Sequence, residues 1–149
     1  MAFQPKAGDV IRYDFLWKEE AQRGRVVGAK DRPCAVVLTT KALPDGSRQV
    51  VVAPITHSPP TASESLHSIK IPLKVCRHLG LDDERSWIRT DQINLFTWAL
   101  NRIPVGVVPT ATNQWTFGSL PDALNRMLVE SVRELSTKRQ LKQTHRSSE

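Results

Sequence analysis

The chain has 149 residues, 40% hydrophobic and 24% charged, the size of one compact domain whose core needs no disulfide or metal staple. That apolar share excludes a disordered chain, and no window approaches the ~18 consecutive apolar residues of a membrane span. Lys and Arg number 21 against 15 Asp and Glu, a net charge of +6 that suits a polyanionic partner, nucleic acid first.

Asp9 to Phe15 alternates, with Ile11, Tyr13 and Phe15 on one face and Arg12 and Asp14 on the other, which predicts a half-buried strand. The stretch from Lys18 to Arg32 is polar, carries five basic and three acidic residues, and reads as a long loop. Pro33 then opens the apolar run Cys34-Ala35-Val36-Val37-Leu38, a buried strand. The turn Pro44-Asp45-Gly46-Ser47 joins it to Gln49–Ala53, so 33–53 reads as a hairpin. Beyond it, Pro54-Ile55-Thr56-His57-Ser58-Pro59-Pro60 leaves the sheet on a proline-restricted path.

Ser68 to Leu73 alternates again, and Leu73 to Leu79 fits a short helix closed by Gly80. Ser86–Arg89 and Gln92–Leu95 read as two short strands or one bent strand, and Val105–Val108 as another. The period then changes. Leu120, Ala123, Leu124, Met127, Leu128, Ser131, Val132 and Leu135 recur at three and four, one face of a helix starting near Ser119 and Pro121. After Thr137 the sequence is basic and polar, which predicts a frayed or disordered tail over 138–149 following one domain over 1–137. The expected fold class is mainly β: a small, strongly bent sheet or barrel with a C-terminal α-helix packed on it.

Cys34 and Cys76 are far apart, without CxxC spacing, and with four His they form no ligand pairs, so reduced thiols and neither metal nor cofactor are expected. The first 25 residues carry charges throughout and no apolar core of a secretory signal, so a cytoplasmic protein is expected. No GxSxG, HExxH, Walker or GxGxxG motif occurs. The best chemical cluster is local. Arg32 and Thr56 are the outer ends of the two hairpin strands and should meet in space, with His57 next to Thr56. A guanidinium, a hydroxyl and an imidazole together suit phosphate chemistry: bidentate charge, a hydrogen bond to a developing oxyanion, and a proton carrier near neutral pH. Trp17 borders the basic loop, and Trp98 follows Phe96; each is either a base-stacking platform or a core residue.

These residues, taken in order, resemble the MazF/PemK toxins of type II toxin–antitoxin systems. The shared pattern is Gly8-Asp9-Val10, then Arg32-Pro33-Cys34-Ala35-Val36-Val37-Leu38, then Pro54-Ile55-Thr56, then Asp91-Gln92-Ile93. The resemblance runs from about Gly8 to Val108. It implies an SH3-like barrel with a C-terminal helix, acting as a homodimer. It implies a growth inhibitor that cleaves single-stranded RNA without a metal, leaves 2′,3′-cyclic phosphate and 5′-hydroxyl ends, and is neutralised by an antitoxin protein. Carried onto this sequence, Arg32 stabilises the phosphorane and supplies a proton to the leaving oxygen. Thr56 holds a non-bridging oxygen, and Asp91 and Gln92 line the RNA groove.

Two departures stand out. Val27-Gly28-Ala29-Lys30-Asp31 replaces the Glu-Gln-x-Gly run many members carry there, and His57 is extra, a further proton-transfer group. The basic loop, through Arg23, Arg25 and Lys30, is expected to hold RNA. Two other readings compete: a non-catalytic SH3-like module binding nucleic acid or protein, and a gyrase poison like CcdB. Fold alone does not separate them.

Overall fold

The computed structural model describes residues 3–81 and 85–147. The fold is mainly β, with nine strands in a single sheet and three α-helices among the described residues. Strand β1 (Asp9–Tyr13) pairs antiparallel with β2 (Arg32–Thr39), and β2 with β3 (Arg48–Thr56), in the register Tyr13↔Arg32 and Cys34↔Pro54. The hairpin forms as expected and carries a bulge between Val36 and Leu38. Pro54, Ile55 and Thr56, expected to leave the sheet, instead continue β3, where a further strand pairs with Ile55 and Thr56.

The far edge of β3 is shared. Its first half pairs with β6 (Gln92–Trp98) and its last two residues with β5 (Trp87–Arg89), which in turn pairs with β4 (Ser68–Lys70). Strands β5 and β6 together behave as the bent strand the sequence allowed. The free edge of β1 takes β7 (Val107–Val108) and β8 (Gly118–Ser119), two residues each. The sheet is not closed into the expected barrel. Its terminal strands β4, β7 and β8 are too short to bridge the opening, and none of them pairs with another.

Both faces of the central strands are buried, which is why their sequences read as continuous apolar runs. One face carries Val10, Ala35, Val37, Val51, Ala53, Ile55, Ile88 and Ile93. Against it pack α2 (Leu73–Leu79) and α3 (Asp122–Thr137). Helix α2 ends, as expected, at Gly80 in the left-handed conformation, φ 67°. Helix α3 buries Leu124, Leu128, Val132 and Leu135, spaced at four, four and three. Each contributes about 1.5–3 kcal/mol by leaving water. Met127 falls at the flank of this stripe and is 54% exposed. Ser131 turns its hydroxyl to Thr90 at 2.7 Å.

The other face carries Ile11, Tyr13, Phe15, Cys34, Val36, Val50, Val52, Phe96 and Trp98. Tyr13 stacks on Phe96 with centroids 4.5 Å apart. Trp98 is fully buried and donates to the Phe3 carbonyl at 3.1 Å, so it is a core residue and no platform for bases. Cys34 and Cys76 are both buried, and burial pushes the Cys34 thiol far above its ordinary value.

Two further segments depart from expectation. The basic loop contains a short helix, α1 (Lys18–Gln22). One cap is local, Glu20 accepting the Trp17 amide at 3.1 Å, and one is tertiary, the Gln92 side-chain oxygen accepting the Lys18 amide at 2.9 Å. Gly28 then brings the chain back against the residues that follow β1, where a Cβ would run into the Phe15 carbonyl. The tail, expected to be frayed, adds β9 (Lys142–His145) in parallel to β6; only its last two residues lie outside those described.

Arg146 anchors that strand. It donates to the Asp14 carbonyl at 2.6 Å, the Asp14 carboxylate at 3.1 Å, Asn94 Oδ1 at 3.0 Å and the Val26 carbonyl at 3.2 Å. No helix among the described residues is long and apolar enough to cross a membrane.

Candidate functional site

Side-chain alternation places the expected pair on one face. Cys34 and Val36 point to the Tyr13–Trp98 cluster, so Arg32, two residues earlier on β2, points the same way. On β3, Val50 and Val52 share that face, and Thr56 follows at the same parity. The register that sets Cys34 opposite Pro54 brings Arg32 opposite Thr56 at the end of the sheet. There they line one cleft of about 370 Å³ with Trp17, Glu19, Lys30, His57, Ser58, Glu64, Arg89 and Gln92.

The arginines of this cleft differ. Arg89 is committed: it holds Asp91 through two hydrogen bonds of 3.1 and 3.0 Å and Glu64 through a third of 3.2 Å. Arg32 has no ion pair among the described residues, and its Nε is buried without an acceptor. What holds it is the Trp17 indole, whose centroid lies 5.2 Å from the Arg32 guanidinium carbon and 5.5 Å from that of Arg89. Trp17 is itself braced edge-on by Phe15, centroids 5.2 Å apart. A guanidinium held by stacking rather than by a carboxylate keeps its charge and its outer N–H donors for a ligand.

Thr56 Oγ1 accepts the Ser58 amide at 3.2 Å, a local turn that leaves the hydroxyl proton uncommitted. His57 is exposed at the rim. The two carboxylates in the cleft are held ionised. Partial burial works to raise Glu19, but its own backbone amide, Gln92 and Lys142 outweigh it and keep the carboxyl below its usual value. The Thr61 amide, with help from Arg89, lowers Glu64 in the same way. Among the described residues no three of His, Cys, Asp and Glu come together as metal ligands.

The structure therefore gathers Lys30, Arg32, Thr56, His57 and Gln92 in one place. Asp91 is buried and both its oxygens face Arg89, so it orients that arginine. Gln92 spends its amide on Lys18 and Glu19. Arg23 and Arg25 lie outside the cleft. Arg25 is tied to Glu20 at 3.7 Å and to the Val27 carbonyl at 3.3 Å.

Arg89, Glu19 and Glu64 are cleft residues the sequence reading missed. One local signal existed for Arg89: it stands two before Asp91, the spacing that puts two side chains on one side of an extended chain.

No family model matches this chain, and no curated protein or solved structure shows significant similarity to it.

Proposed function

We propose that the protein is an endoribonuclease toxin of the MazF/PemK kind, built on an open variant of the SH3-like fold and neutralised by an antitoxin protein. It cuts single-stranded RNA to 2′,3′-cyclic phosphate and 5′-hydroxyl ends and works as a homodimer. The observation that carries this reading is Arg32: a guanidinium without an ion-pair partner among the described residues, stacked on Trp17, facing a cleft shared with Thr56 and His57.

The chemistry follows from those three groups. His57 takes the proton of the 2′-hydroxyl. The 2′ oxygen forms a bond to phosphorus, and charge builds on the non-bridging oxygens. Arg32 and the Thr56 hydroxyl hydrogen-bond those oxygens more strongly as the charge grows. The bond from phosphorus to the 5′ oxygen then breaks. The leaving 5′ oxygen takes a proton from the Arg32 guanidinium; solvent returns a proton to Arg32, and His57 gives up to solvent the proton it took.

The test is the substrate's own nucleophile. An RNA strand with a single 2′-deoxy residue at the cut junction should survive where the all-ribose strand is cleaved. The downstream fragment of the cleaved strand should accept a label from polynucleotide kinase without prior phosphatase treatment. Cutting of the deoxy junction, or a 5′-phosphate product, would contradict the mechanism.

A further inference from the structure

The end of the sheet carries a second cleft, of about 360 Å³, which shares Arg32 and His57 with the first but not Thr56 or Trp17. Arg12, Asp31 and Ser86 line it, and Lys30, Arg32 and His57 line both clefts. It lies on the opposite face. Val10 and Ile55 point to the helix side of the sheet, and Arg12 follows Val10 at the same parity. The two clefts therefore meet over the sheet's end, at the start of β2 and the end of β3.

Two independent observations point to an anion in this second cleft. Arg12, Lys30 and Arg32 set three positive charges against Asp31, and the Arg12–Asp31 contact is loose, 3.9 Å between partly exposed groups. The other is Ser86. Its residue is 1% exposed, its carbonyl accepts the Ile71 amide at 2.9 Å, yet its hydroxyl is buried with no hydrogen-bond partner among the described residues. A buried hydroxyl without a partner is rare and calls for one. A guanidinium fork, an ammonium group and a free hydroxyl together form the donor set that binds phosphate oxygens.

We propose that this cleft is a second phosphate subsite, taking the phosphodiester next to the scissile one, so that a bound strand crosses the sheet's end from the Trp17 side to the Ser86 side. The proposal rests on the ribonuclease reading of the first cleft. It makes Arg12 and Ser86 binding residues with no part in bond cleavage.

Uncleavable 2′-deoxy oligonucleotides of two and three nucleotides, with one and two phosphodiesters, test it by NMR titration at low salt. In the wild type the second phosphodiester should tighten binding about tenfold, a gain expected of charge-assisted contacts. Arg12→Ala and Ser86→Ala should each lose most of that gain and keep the affinity for the shorter ligand. Ser86→Ala should also melt no lower than wild type, since it removes an unsatisfied buried group.

A gain that survives in both variants overturns the subsite and leaves the ribonuclease reading standing. Failure of both oligonucleotides to bind overturns the two together. Inorganic phosphate that binds the cleft as tightly as the longer oligonucleotide would make it a free-anion site and overturn the strand path.

Discussion

Arg32 and Arg89 show how one residue type takes two roles within a few ångströms of the same ring. Arg89 is satisfied by Asp91 and Glu64 and stiffens the cleft wall. Arg32 lies over Trp17, and among the described residues its Nε has no acceptor. Leaving a buried donor unsatisfied costs about 1–3 kcal/mol, which a site bears where a ligand completes the bonding. His57, at the rim of both clefts, is the proton carrier in this scheme. Replacing His57 with Ala should lower single-turnover cleavage by ~10²-fold or more while RNA binding changes little, as for a general base. A loss of only a few-fold would reduce it to a turn residue.

At the scale of elements, the tail governs more than its composition suggests. Lys142 to His145 has no apolar alternation, so nothing in its pattern predicts a strand. It becomes one because β6 offers an open edge and Arg146 finds Asp14 and Asn94 behind it. Arg146 also lies over the Tyr13 ring at 5.3 Å. Breaking a largely buried ion pair from one side costs about 3 kcal/mol. Arg146→Ala should therefore lower Tm by roughly 6–12 °C, at 2–4 °C per kcal/mol for a chain of this size. Lys138→Ala removes the exposed pair with Glu134 and should leave Tm nearly unchanged. An unaltered melt for Arg146→Ala would mean that β9 is not held as described.

The same contrast explains what the sequence disclosed. The hairpin, α2 with Gly80, and α3 were legible because periodicity and a left-handed cap are local. So was the meeting of Arg32 with Thr56, since hairpin register is set by strand parity. Helix α1, β8 and β9 were not legible, because their caps and partners lie many residues away: Gln92 for α1, β1 for β8, β6 for β9. The stacking of Arg32 and Arg89 on Trp17 is likewise a product of the whole fold.

For the molecule as a whole, the net charge of +6 acts through its distribution. Lys30 stands at the junction of the two clefts, whereas Arg23 and Arg25 lie outside both. For a single strand, the salt dependence of binding has a log–log slope of roughly −0.7 per phosphate neutralised. Lys30→Ala should flatten that slope by about one such contact, and the double change Arg23→Ala with Arg25→Ala should leave it within error. A slope altered by the double variant and not by Lys30→Ala would move the RNA path out of the clefts.

Whether Arg32 drives RNA cleavage is decided by an assay in EDTA. Wild-type and Arg32→Ala proteins, each shown to be folded and free of any copurifying partner, would be given long single-stranded RNA and the product ends mapped. Discrete cuts with cyclic-phosphate ends, lost in Arg32→Ala, are the predicted result. Cuts that persist unchanged in the variant, or no cleavage by the wild type, would contradict it.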